Sequence, residues 1–363
     1  MSSFKVVCIK NWIKEMFPNL RKTQAVNLTL GVFGLIKARS GLMSEIVRMV
    51  PGPSDHKYKL KRLWRFVSNE RIKPAELINL WALWVIGTFC RSKYIPVALD
   101  WTTLPGNIQC LMAAVPFAGR AIPLLWVTTT YQAFKDSQNL IEQRLVTRLN
   151  NIIPEGKRII LTADRAFGRA KFFKFLLKLN VLFAIRVKAD VKVKINIKSG
   201  KVKTVLLRKL KIKPEQIKWL NSISYRADGV VNGINMTVTL AQGSDDPWLI
   251  ATNLRSAQGA ISRYESRFHI EEWFKDLKHE LGITDLQVRN SGRARRMMLI
   301  SAFAYGLVML VGTVTQRLSK LHDQLITGGK KAASRVWFAL RIIQYQLVPS
   351  LYWKKIWVKA LGP

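Results

Sequence analysis

Between Tyr94 and Val187 the sequence delivers short apolar runs in an order that few folds accept. Three come in quick succession, Tyr94–Trp101 (YIPVALDW), Gln109–Val115 (QCLMAAV) and Ala121–Thr128 (AIPLLWVT). Turn signals at Pro105-Gly106 and Gly119 separate them, so they predict three meandering strands. A helix is expected through LIEQRLVTRLNNII, with Asp136 and Ser137 as cap candidates. Arg158–Asp164 (RIILTAD) predicts a fourth strand, Lys171–Leu179 a helix, and Val181–Val187 (VLFAIRV) a fifth strand.

Three hairpin-connected strands, then helix, strand, helix, strand, match the order of a ribonuclease-H-like α/β core. Such an order fixes no activity by itself. The core is expected to start at residue 91 and to break after 187. Residues 188–256 carry alternating Lys/Val stretches, an Asp228-Gly229 turn and the strand-like INMTVTLAQ and PWLIATNL, so they predict a β-rich insertion. A long helix resumes near Ala260, making 257–290 the return to the core. Residues 1–90 and 291–363 read as flanking helical regions.

The charge narrows the partners. The 363 residues hold 59 Lys plus Arg against 22 Asp plus Glu, a net charge of +37. Such an excess on a folded chain calls for a polyanion, with nucleic acid ahead of an anionic membrane surface. In His56–Pro74, Leu60, Leu63, Trp64 and Val67 recur at helical spacing while Lys57, Lys59, Lys61, Arg62 and Arg65 take other faces. That helix is either a solvated basic face or a phosphate-contacting one. Met297–Val314 is a run of about 18 apolar or small residues, the short end of membrane-spanning length; a buried helix of a large core is expected instead. No secretory signal is read at the N-terminus. Cys8, Cys90 and Cys110 stand far apart without a CxxC, which fits a reducing cytosolic compartment.

With so few acids, a carboxylate inside an apolar run stands out. Asp100 closes PVALD and Asp164 closes IILTAD, two strands expected to be neighbours. Buried carboxylates need a partner, and a hard cation with oxygen ligands suits them. A third ligand can be sought in SRYESRFHIEEWFKDLKHEL by advancing about 100° per residue from Tyr264. Ile270, Trp273, Phe274, Leu277 and Leu281 then form a core-facing stripe, with Tyr264, Arg267, Glu271 and Lys278 in a polar stripe beside it. Glu265, Glu272, Asp276 and Glu280 point elsewhere, as do His269 and His279, which are expected at the surface. Glu271 is either the acid that enters a cleft or half of an i,i+4 ion pair with Arg267.

The spacing Y-x2-R-x3-E-x6-K, carried by Tyr264, Arg267, Glu271 and Lys278, resembles the signature of insertion-sequence transposases of family four, the IS-four group. The DRAF at Asp164–Phe167 is similar to the family's Asp-Arg-Gly-Phe, and LDWT around Asp100 to its first-aspartate strand. The likeness runs from about Tyr94 to Arg296, and one departure is Ala166 in place of Gly. A Gly there could relieve a positive φ, which Ala would strain.

The resemblance implies a DDE transposase, a metal-dependent DNA endonuclease and strand transferase, with catalytic, metal-holding Asp100, Asp164 and Glu271. Mg²⁺, or Mn²⁺ in its place, is the implied cofactor, since two metal ions can serve both reacting oxygens of a phosphodiester. Arg267 and Lys278 would grip phosphates, and Tyr264 would position a phosphate or stack on a base. Lys61, Arg62 and Arg65 would bind element ends. Trp248 is either a base-holding aromatic or a core residue. The implied partners are double-stranded DNA, both terminal inverted repeats and target, and a second copy as a homodimer in the DNA complex, with no membrane. The implied location is the prokaryotic cytoplasm, at the nucleoid. A catalytically inactive DNA-binding relative is the alternative, separable by metal-dependent nicking.

Overall fold

A computed structural model of the chain describes residues 6–196, 202–226, 228–315, 334–348 and 350–361. Five helices come first: α1 (Val6–Met16), α2 (Lys22–Ala38), α3 (Met43–Arg48), α4 (His56–Ser68) and α5 (Pro74–Phe89). The core follows as β1 (Tyr94–Leu104), β2 (Ile108–Phe117), β3 (Arg120–Thr129), α6 (Tyr131–Ile152), β4 (Arg158–Ala163), α7 (Ala170–Lys178) and β5 (Leu182–Arg186). Then come β6 (Lys192–Asn196), β7 (Val202–Leu206), β8 (Ile217–Arg226), β9 (Val230–Thr239) and β10 (Trp248–Thr252). The last described helices are α8 (Ala257–Glu265), α9 (His269–His279), α10 (Ser291–Thr315), α11 (Arg335–Gln344) and α12 (Ser350–Leu361). The expectation of helix from Ser291 onward holds for these three; residues 316–333 lie outside the described part.

The strands join in one mixed sheet ordered β3-β2-β1-β4-β5-β10-β9-β8-β6-β7. β1, β2 and β3 form the antiparallel meander, and β4 and β5 add parallel to β1. Strand β10 pairs antiparallel with β5. The strands of 188–256 therefore extend the core sheet and do not stand apart as a separate layer. In β2 the first eight residues are all buried, as a strand covered on both faces should be. In β8, Ile223 and Tyr225 are buried beside exposed neighbours, which marks a strand with one wet face.

The apolar run of Met297–Val314 lies within α10, and 89% of its most apolar 18-residue window is buried inside the protein. It is long and apolar enough to cross a membrane, yet α2, α4, α5, α11, α12 and β3 surround it. A helix enclosed on every side needs no polar stripe, which is why its sequence shows none. Close approach demands small residues: a Cβ on Gly306 would come within 2.3 Å of the Trp81 ring. The helical regions on either side of the sheet domain in sequence thus share one core around α10.

Two boundaries depart from expectation. Helix α6 starts at Tyr131 with Thr130 as its cap, the hydroxyl accepting from the Ala133 N–H at 3.3 Å. Ser137 marks a kink inside the helix and not its start. The long helix after Ala257 is broken by a 3-10 turn at Ser266–Phe268, so α8 and α9 are separate elements.

Candidate active site

Strand β1 runs four residues past Asp100, to Leu104, so this aspartate does not close its strand. What ends there is the pairing with β4. The last parallel pair is Leu99 with Ala163, and Asp100 and Asp164 each follow one residue later. Beyond that pair β1 is bonded only to β2, with Asp100 opposite Met112. The two carboxylates therefore emerge side by side where the sheet loses β4. Asp164 goes on to start the 3-10 turn Arg165–Phe167, its Oδ1 accepting from the Ala166 N–H at 2.9 Å. Ala166 does not take a positive φ, so its departure from Gly costs no left-handed strain.

Glu271 arrives from α9 with its side chain 44% exposed, against 20% for Asp100. Arg267 stands between them. Its Nη2 lies 2.5 Å from Glu271 Oε1 and its Nη1 3.5 Å from Asp100 Oδ2. Burial pushes the Asp100 carboxyl up to about 6. Arg267 opposes that rise, whereas the charges of Asp164 and Glu271 add to it. The Asp100 carboxylate thus senses the other two where β1 parts from β4, with one guanidinium offsetting part of that repulsion.

The polar stripe drawn from Tyr264 is corrected by the structure. Tyr264 and Arg267 are buried, at 1% and 5% exposure. The 3-10 turn changes the angular count between them and Glu271, which a uniform wheel cannot capture. The Tyr264 ring packs edge-on against Trp248 at 5.1 Å and Phe268 at 5.9 Å, and Trp248 stacks on Phe268 at 5.6 Å. The Arg267 guanidinium lies over the Phe268 ring at 4.6 Å and near that of Tyr264 at 5.6 Å. Its charge survives burial because the Glu271 and Asp100 carboxylates favour it. Tyr264, Trp248 and Phe268 form an aromatic cluster on which the arginine rests, and Tyr264 has no free face for a base in this arrangement.

Asp276, expected away from the core, is 6% exposed. It accepts from Arg120 Nε at 2.8 Å and from the Tyr305 hydroxyl at 2.9 Å, tying α9 to β3 and α10. Helix α9 is buried on two sides, a fact that one apolar stripe does not convey. His269 is half-buried and not a surface residue, whereas His279 is exposed as expected. Lys278 is exposed in the last turn of α9 and makes no ion pair among the described residues.

On α4 the buried residues are Leu63, Phe66 and Val67, while Trp64 is 39% exposed beneath the Arg293 guanidinium at 4.7 Å. Lys61 and Arg65 are exposed; Arg62 is half-buried, its Nε donating to Asn27 Oδ1 at 3.3 Å. Among the described residues, no ion pair joins Lys61, Arg62 or Arg65 to Asp100, Asp164 or Glu271. Sequence reasoning missed Arg120, which pairs with Asp276, and Phe268, which lies under Arg267. It also missed Glu142, whose position in line with Leu145, Val146 and Leu149 on the buried stripe of α6 was a readable signal.

The donor set suits a hard divalent cation: oxygen ligands only, with a mutual repulsion that added positive charge would relieve. Among the described residues no three such side chains are drawn to ligand-sharing distance, and Arg267 bridges two of them. No curated protein matches the chain. A family model described as the transposase DDE domain matches residues 91–307. That span takes in β1 through most of α10, with all three carboxylates, and the chain belongs to this family of DDE transposases.

Proposed function

We propose that this chain is a cut-and-paste DNA transposase of the IS-four group. It binds the terminal inverted repeats of its own element, cleaves the ends and joins them to target DNA. The observation that carries this reading is the register Leu99–Ala163, which sets Asp100 beside Asp164 with Glu271 reached through Arg267. The order β3-β2-β1-β4-β5, with its meander and two parallel strands, supports reading the core as ribonuclease-H-like.

Asp100, Asp164 and Glu271 would hold Mg²⁺ or Mn²⁺. Bound there, the metal would supply activation of water or a 3′-hydroxyl and stabilisation of the leaving oxygen. The chain's own residues do the positioning. Arg267, once free of Asp100 and Glu271, presents a planar fork to a phosphate at the site. Lys278 adds a point charge about two turns beyond Glu271 on the same face of α9. Lys61, Arg62 and Arg65 would hold the element end. Trp248, packed on Phe268 and Tyr264, would act first as support for Arg267. A homodimer in the DNA complex would bring two ends together, in the prokaryotic cytoplasm at the nucleoid and without a membrane.

Nicking of a labelled end duplex in Mg²⁺ tests the reading. Cleavage lost in excess chelator and in Asp164→Asn supports it. End binding without cleavage in the wild type would make the chain an inactive DNA-binding relative.

A further inference from the structure

Glu142 is the one carboxylate among the described residues that is fully buried, at 0% exposure. It sits on α6, outside the three acids, and two of its contacts, Trp101 and Arg169, lead toward two of them. Its Oε1 accepts from the Trp101 indole N–H at 3.0 Å and from Gln138 Nε2 at 3.0 Å. Its Oε2 is paired with Arg169 Nη2.

Trp101 follows Asp100, and its backbone N–H donates to Asp100 Oδ1 at 2.8 Å. Its ring is held edge-on against Phe134 of α6 at 4.7 Å. Arg169 closes the loop that begins at Asp164. Its own N–H donates to the Phe167 carbonyl at 2.8 Å, and its guanidinium rests near the Phe167 and Phe172 rings. The same loop is pinned from the other side by the extending strands. The Tyr225 hydroxyl donates to the Gly168 carbonyl at 2.6 Å, and Asp228 Oδ1 accepts from the Ala170 N–H at 2.7 Å.

A buried charge with this many directed partners is costly unless its geometry is kept. Asp100 and Asp164 follow the last paired residues of two separate strands, and past Leu99 and Ala163 no pairing between those strands sets their separation. We infer that Glu142 is a positioning residue that sets the spacing of Asp100 and Asp164, through Trp101 on one side and Arg169 on the other. This inference rests on the reading of those aspartates as metal-holding. Groups that orient ligands without touching the metal commonly tune affinity by about 10- to 100-fold.

The test is Mn²⁺ binding to the DNA-free full chain, followed by the paramagnetic signal of unbound ion, beside thermal unfolding. Glu142→Gln keeps the shape and the acceptor for Trp101 but turns an amide toward Arg169. It should fold, and should weaken Mn²⁺ binding about tenfold or more. Trp101→Phe keeps an aromatic ring beside Phe134 but removes the indole donor and part of the ring, so, with folding checked by thermal unfolding, it reads out the other arm even if the first variant fails to fold. About fivefold weaker binding is expected, the worth of one hydrogen bond. Asp164→Asn is the reference and should abolish binding. If Asp164→Asn removes Mn²⁺ while folded Glu142→Gln or Trp101→Phe binds like wild type, the positioning role is overturned. If the wild type binds no Mn²⁺, or Asp164→Asn leaves binding intact, the metal-site reading itself fails.

Discussion

At the residue scale, direction decides role. Glu271 and Glu272 are adjacent and chemically identical, yet Glu271 faces Arg267 and Asp100 while Glu272 pairs with Lys275 at 2.6 Å and Arg120 at 3.5 Å. Glu271→Ala should abolish strand cleavage and keep end binding. Glu272→Ala should cleave near the wild-type rate with at most about 1 kcal/mol of stability lost, as expected for partly exposed pairs. Equal cleavage by the two in a gel assay would sink the assignment. Arg267→Lys should lower cleavage more than its retained charge suggests, because an ammonium cannot bridge two carboxylates or fork a phosphate. Asp276 carries a pH signature. Burial raises its carboxyl to about 6, so the folded chain binds more protons than the unfolded one between about pH 4 and 6. That stabilisation is present below about pH 4 and lost as pH rises through 6. The difference in unfolding free energy between wild type and Asp276→Asn should therefore shift by on the order of 2 kcal/mol across this window. A flat difference in denaturant titrations would remove Asp276 as its source.

At the element scale, α9 and α10 work as a pair. Asp276 and Tyr305 join them, and Arg120 joins both to the start of β3, so the glutamate helix is held from two directions. Below it, Arg39 pairs with Glu280 and the Gly41 N–H donates to the Gly282 carbonyl at 2.8 Å, docking the end of α2 on the end of α9. Helix α10 can occupy the centre only because Gly306 admits Trp81. Gly306→Ala should cost about 1–3 kcal/mol by overpacking, read as a lower unfolding midpoint. Cleavage per folded molecule should persist, since Gly306 touches none of the three acids. An unchanged midpoint would show that Trp81 can move aside.

At the scale of the whole molecule, charge governs encounter. With +37 net charge, the affinity for end DNA should fall steeply with salt, with a log–log slope of about −0.9 per phosphate contacted. Affinity that barely changes between low and physiological salt would contradict phosphate gripping. Reversing the charges at Lys61, Arg62 and Arg65 should weaken end binding and leave the fold intact, because Lys61 and Arg65 are exposed and Arg62 makes one side-chain hydrogen bond to Asn27. Unchanged binding in a filter or mobility assay would move end recognition to another surface.

Local pattern alone determined a good deal of this protein. The apolar runs and turn signals between Tyr94 and Val187 named five strands and their two helices, since strand and helix periods are set by neighbours in sequence. They also singled out Asp100 and Asp164, because a carboxylate in an apolar run is visible without a structure. Tertiary structure decided what depends on distant partners. The Asp100–Asp164 adjacency comes from strand register, and the burial of Tyr264, Arg267 and Asp276 from a 3-10 turn and a second packing face. Glu142 was hidden for the same reason: its partners lie 41 and 27 residues away, and only the folded chain brings those charges and donors within reach of one buried carboxylate.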